Sequence, residues 1–327
     1  MKNMTLIIPN TKLILLFIIT TILLCTNSVG ADFERRDVTF DSEGLKCFGW
    51  YYVPKNLNQN EKRPAIVMAH GLSAVKEMSL DPFASRFAEA GFIVLVFDYR
   101  YLGASEGTPR GQMFYYDQIE DYRNAVTWVS SQREVDSARI GIWGTSLSGG
   151  HVLTLSALDK RVKAVVAQVP FTGVEDMQSS IISFSSSSAK NRKDEYLKST
   201  ANYMRVVDST GSALLPQKES YEWFTKTAKL KAPNWKNEIT IESLEKVIEY
   251  NPRFYIPMIA PTPLLMIISN NDIVTPTKNQ QAAFELAKEP KKLIIVQGGH
   301  FDAYQGTSFE RFCQPAVDWF KQYLNVK

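Results

Sequence analysis

Three residues lying far apart in this chain have the types that covalent acyl transfer requires: Ser146, Asp272 and His300. Such chemistry needs a nucleophile, a base to take its proton and a group that orients the base. Ser146 stands in GIWGTSLSGGH (141–151), a lone serine between glycine-rich flanks at the end of an apolar run. A serine at the tip of a tight strand-to-helix turn is exposed above a sheet, and the N–H of the next residue, Leu147, can hold an oxyanion. Small residues two positions before and after it let strand and helix pass closely. Gly144 meets that need, whereas position 148 is Ser instead of Gly. Taken alone, the stretch fits a crowded structural turn as well as a nucleophile.

The other parts raise its standing. His300, one of only three histidines, lies in QGGHFDAY, where a base can reach over a sheet edge. Asp272, in SNNDIVTP, can accept its ring N–H. In MAHGLSAVKE (68–77) a His-Gly turn aims the N–H of Leu72 opposite that of Leu147, so Leu72 and Leu147 are the expected oxyanion donors.

These residues need a sheet to bring them together. The chain alternates strand-like and helix-like segments, which favours a parallel sheet covered on both faces. An opening hairpin is expected over 37–54, turning at Ser42–Gly44. Strands are expected at 64–70, 92–98, ARIGIW (138–143), 162–170, 262–269 and 291–297. Helices are expected at 81–91 (Asp81 as N-cap, Pro82 at the first position), 115–132, 147–160, 277–290 and 308–324. From Phe171 to about Pro261 the alternation stops, which predicts a helical insertion of roughly ninety residues between the sixth and seventh strands. Ser146, Asp272 and His300 then all follow strand ends, the edge where open α/β sheets place their sites.

Together HGLSAVKE, VFDYRYLGASEGTPR, WGTSLSGGH, DIVTP and GGHFDAY resemble the α/β-hydrolase superfamily. More narrowly, they are similar to its dienelactone-hydrolase-like and X-Pro-dipeptidyl-peptidase-like branch, to which polyketide transferases and thiohydrolases are related. The likeness covers about residues 37–170 and 262–325. It implies an α/β-hydrolase fold with a Ser-Asp-His site and no metal or organic cofactor. Ser148 departs from the family pattern without touching a catalytic group.

Other residues have plainer readings. His70 is expected to hold its turn by hydrogen bonding, and His151 to pack against the sheet. Asp98 and Arg100 are expected to form a structural ion pair. Asp302 is too close to His300 in sequence to orient it. Glu175 and Asp176, just after the sixth strand, are the rivals to Asp272. The aromatic residues of the insertion fit either an acyl pocket or a small core of their own.

The 327 residues are 45% hydrophobic with a net charge of +3, enough for a large core and without the basic blocks of a nucleic-acid binder. At the N-terminus, lysines precede the apolar run Leu13–Cys25, too short to span a bilayer, and SVG (Ser28–Gly30) follows. A signal peptide over 1–30, cleaved after Gly30, and a secreted or periplasmic protein without a stable membrane span are expected. A short membrane anchor is the alternative. Only Cys47 and Cys313 then remain, either as one disulfide or as two buried thiols. The expected reaction is hydrolysis of a small-molecule carboxylic ester or thioester. The rivals are a peptidase, for which Glu219, Glu222 and Glu242 would have to bind a substrate amine, an acyltransferase, and a binding protein built on a decayed enzyme.

Overall fold

The computed structural model describes residues 32–55 and 57–325, so the expected signal peptide lies outside the described residues. The opening hairpin pairs β1 (Phe33–Ser42) with β2 (Leu45–Pro54). Its turn residues Glu43 and Gly44 both have positive φ, 49° and 82°, as the tight turn matching strand twist demands. There follow β3 (Arg63–Ala69), α1 (Asp81–Glu89), β4 (Ile93–Phe97), α2 (Tyr115–Ser130), β5 (Val135–Thr145), α3 (Leu147–Leu158) and β6 (Val162–Gln168). The segment between β6 and the next sheet strand carries α4 (Met177–Lys198), α5 (Lys218–Lys231) and α6 (Ile241–Glu249). It also holds a two-residue strand pair, β7 (Tyr203–Met204) and β8 (Ile239–Thr240). The sheet resumes with β9 (Leu264–Ser269), α7 (Thr277–Glu285), β10 (Lys291–Val296) and α8 (Ser308–Leu324).

Eight strands form the main sheet in the order β1-β2-β4-β3-β5-β6-β9-β10. Only β2 runs against the others; the six central and distal strands are paired in parallel. Parallel strands covered on both faces must be apolar at every position, and here the period of two divides them between two cores. Ala65, Val67 and Ala69 of β3 pack with α2 and α3, while Ile66 and Met68 pack with α1 and α8. The same division runs through β4 and β9.

Two local expectations are corrected and one open alternative is settled. Asp81 is the first helical residue of α1, not its cap, because its carboxylate accepts from Tyr52 Oη (2.7 Å) and Arg35 (3.0 Å) of the hairpin. Asp98 and Arg100 do not pair. Asp98 takes the Lys76 ammonium (2.8 Å) and Arg100 takes Asp121 (2.5 Å). Cys47 and Cys313 are free thiols buried in opposite cores, which rules out the disulfide alternative.

Candidate active site

The turn from β5 into α3 is held in a conformation that few residues accept. Ser146 has φ 57° and ψ −120°, which costs on the order of 1–3 kcal/mol unless the surroundings enforce it. They do. Its N–H donates to Gln168 O (2.9 Å), and its carbonyl accepts from Phe171 N (2.8 Å) and Gly150 N (3.2 Å). A Cβ at Gly144 would lie 2.2 Å from the Ser148 carbonyl oxygen, so only glycine fits there. Ser148 is fully buried there, its hydroxyl 2.8 Å from Tyr99 Oη.

The structure brings the three expected residues together. His300, on the short turn after β10, places Nε2 3.1 Å from Ser146 Oγ and Nδ1 2.7 Å from Asp272 Oδ2. With Nδ1–H donating to the carboxylate, the Nε2 lone pair faces the serine hydroxyl. Both distances are within reach for proton transfer. Asp272 is 4% exposed. Its Oδ1 accepts from the N–H groups of Val274 and Thr275, each at 2.9 Å. Its Oδ2 also accepts from the Thr275 hydroxyl (2.9 Å) and the Gln280 amide (3.2 Å). Burial opposes its charge, but His300 and these donors outweigh burial and hold the carboxyl below its ordinary value.

The turn after β3 faces Ser146. At Gly71 a Cβ would come within 2.9 Å of the serine Cβ, so this backbone passes close to the nucleophile position. His70 Nδ1–H donates to the Gly71 carbonyl (3.0 Å). In a planar trans peptide C=O and N–H point opposite ways, so this bond also fixes the direction of the Leu72 N–H. Among the described residues, neither Leu72 N–H nor Leu147 N–H donates to a backbone or side-chain acceptor. The turn is anchored from below by Asp98, which accepts from Lys76 N (2.7 Å), Lys76 Nζ (2.8 Å) and Ala104 N (3.0 Å). Burial pushes the His70 imidazole below its usual value, Asp98 pulling the other way.

A cavity of about 250 Å³ opens from Ser146, His300, Leu72 and Leu147. The helical segment supplies much of its wall: Leu214 and Leu215, Trp223 and Phe224 of α5, and Leu244, Val247 and Ile248 of α6. No Asp, Glu, Lys or Arg lines it among the described residues. The insertion's aromatic residues therefore divide. Trp223 and Phe224 face the cavity, whereas Tyr196 is 86% exposed on α4.

The residues weighed against this constellation are occupied elsewhere. Glu175 is exposed and pairs with Lys278 (2.5 Å), and Asp176 caps α4 through Ser179 N (2.9 Å). Asp302 accepts from Gly299 N (2.8 Å) and shapes the turn that carries His300. His151 is wholly buried between Gln118 (2.9 Å) and Tyr250 (3.2 Å). Glu219 lies against Gly299, outside the cavity, while Glu222 pairs with Lys218 and Glu242 with Arg192. Thr275, Gln280 and the Lys76–Asp98 pair are parts of the site that the sequence reading missed. DIVTP contains Thr275, but only the fold shows what its hydroxyl touches.

Comparison with known proteins shows the family and the fold. Residues 50–302 match the family model described as X-Pro dipeptidyl-peptidase (S15 family). The chain is 33% identical over 301 residues to the quorum-quenching protein AidA of Acinetobacter baumannii (strain MDR-ZJ06), covering 89% of this chain and 96% of that protein. It is 29% identical over 283 residues to a thiohydrolase of Eupenicillium brefeldianum, covering 84% and 90% respectively. The crystal structure of the alpha/beta hydrolase GrgF from Penicillium sp. sh18 superposes with a TM-score of 0.76 at 30% identity, over 90% of this chain and 100% of that one. The chain thus belongs to the X-Pro dipeptidyl-peptidase (S15) family and is a hydrolase of the α/β-hydrolase fold.

Proposed function

We propose that this hydrolase cleaves a carboxylic ester or thioester of an apolar acyl group through a covalent acyl-enzyme on Ser146. The observation that carries the reading is the unbroken line of contacts Ser146–His300–Asp272, opening into a pocket with no charged wall. His300 Nε2 takes the serine proton as Oγ attacks the acyl carbon. The Leu72 and Leu147 N–H groups receive the oxyanion, and loss of one such donor typically raises the barrier by about 3 kcal/mol. His300 then returns the proton to the departing alcohol or thiol. Water, deprotonated by the same nitrogen, attacks the acyl-enzyme, and His300 returns that proton to Ser146 Oγ as the acyl–Oγ bond breaks and the carboxylic acid is released. Asp272 keeps the ring in the required tautomer and stabilises its protonated form.

The pocket argues for an acyl group over a peptide. A peptidase that reads a free amino terminus needs a carboxylate to receive it; Glu222 and Glu242 are paired with Lys218 and Arg192, and Glu219 does not line the pocket. A relative named thiohydrolase fits the thioester alternative. The N-terminal segment leads us to place the enzyme outside the cytoplasm, with Ala31 as the first mature residue.

The test is a panel of p-nitrophenyl esters and acyl thioesters of increasing chain length beside an Xaa-Pro p-nitroanilide. Turnover of the esters or thioesters with an optimum at medium length is expected. Faster cleavage of the anilide would overturn the reading in favour of a peptidase. Amino-terminal sequencing of the protein recovered from its native host should begin at Ala31; an intact Met1 in the cytosol would refute export.

A further inference from the structure

We propose that Thr275 is a positioning residue for the reaction: its hydroxyl, placed between Asp272, His300 and the Val169 carbonyl, locks the acid against the base and registers both to the nucleophile turn. The proposal rests on the serine-hydrolase reading above.

Thr275 Oγ1 lies 2.9 Å from Asp272 Oδ2, 3.1 Å from Val169 O and 3.2 Å from His300 Nδ1. A hydroxyl has one hydrogen and two lone pairs. The hydrogen points chiefly at the ionised Asp272 carboxylate, the stronger acceptor, and is shared with the Val169 carbonyl in a three-centre bond. The lone pairs then face the His300 Nδ1–H and the Gln280 amide (3.3 Å). Nδ1–H therefore lies in a fork between Asp272 Oδ2 and Thr275 Oγ1, which restricts rotation of the ring. Gln280, fully buried, braces the fork from behind through its bond to Asp272.

The third contact connects this fork to Ser146. Val169 has φ 37°, a conformation that a β-branched residue adopts only under constraint. It follows β6, where Gln168 O accepts the Ser146 N–H (2.9 Å). Two consecutive carbonyls thus face the two halves of the machinery: Gln168 holds the nucleophile turn, and Val169 meets the hydroxyl on the acid's loop.

Thr275→Val and Thr275→Ser separate this role from simple packing, because valine keeps the volume and serine keeps the hydroxyl. Ester turnover, the rate of fluorophosphonate labelling at Ser146 and thermal unfolding would be measured on the full protein. Thr275→Val should lower kcat on the order of 10²-fold, the scale of a slightly misplaced catalytic group. KM should stay unchanged, labelling should slow in step, and Thr275→Ser should restore most of the rate. Gln280→Met, which removes the brace without touching the pocket, should lower kcat in the same direction and serves if Thr275→Val does not fold. Wild-type kcat in Thr275→Val, or in Gln280→Met where the first is unfolded, would overturn the proposal. So would a Thr275→Ser variant as slow as Thr275→Val. Failure of the wild-type protein to label at Ser146 would instead remove the underlying reading, so the two failures are distinguishable.

Discussion

Ser146 and Asp272 owe their properties to neighbours that are fixed before any substrate arrives. The serine Oγ has an acceptor 3.1 Å away, and the acid takes five donors, three of them on the oxygen that faces the imidazole. Ser146→Ala removes one oxygen and no packing, so it should abolish turnover while unfolding at the wild-type temperature; substantial residual ester hydrolysis would contradict the assignment. Asp272→Asn should lower kcat on the order of 10⁴-fold, because an amide N–H facing Nδ1 favours the wrong tautomer. Glu175→Gln, on an exposed residue paired with Lys278, should leave kcat unchanged. The reverse ranking in parallel kinetic assays would move the acid to the loop after β6. The three central residues were legible in sequence because each stands in a short motif after an apolar strand. Thr275 was not legible as part of the site, because what gives its hydroxyl meaning includes a carbonyl 106 positions away.

At the scale of elements, hydrophobic period carried most of the reading. The β3, β4, β6, β9 and β10 strands fall within about two residues of their expected spans, since buried parallel strands are apolar runs that little else imitates. Caps and ion pairs were less legible, as with Asp81 and Asp98, because their partners come from the hairpin and from the turn after β3. The helical segment between β6 and β9 was visible only as a break in alternation. Its pocket-facing residues emerge from the way α5 and α6 lie over the strand ends. Val247 on α6 is 8% exposed and lines the cavity. Val247→Trp should fill part of that space and move the preferred acyl length downward in the p-nitrophenyl ester series, at a cost of about 1–3 kcal/mol in stability. An unchanged chain-length profile would show that α6 does not bound the acyl site.

For the molecule as a whole, two buried imidazoles link stability to pH. Burial, with a smaller contribution from His70, pushes His151 down to about 3. Burial lowers His70 as well. In the unfolded chain both titrate near 6.5. Below that pH the unfolded state binds protons that the folded state refuses, so stability present at neutral pH is lost as the pH falls toward 3. For His151 this is a slope of about 1.4 kcal/mol per pH unit in that window, and His70 acts in the same direction. Denaturant unfolding at pH 7 and pH 5 should therefore show a clear loss, and His151→Gln should make it shallower by about 2 kcal/mol over that interval. Equal losses in the two proteins would show that His151 accepts a proton in the folded state. The sheet that buries these rings is also what gathers residues 70, 146, 272 and 300 at one edge.

Covalent labelling of the purified protein with a fluorophosphonate, followed by mass mapping of the modified peptide, tests directly whether Ser146 is the nucleophile. A single adduct on Ser146 is expected, formed rapidly in the wild type, slowed in Asp272→Asn and absent in Ser146→Ala. An unlabelled protein, or an adduct on another residue with Ser146→Ala labelled as fast as the wild type, would contradict it and leave the β5–α3 turn a purely structural feature.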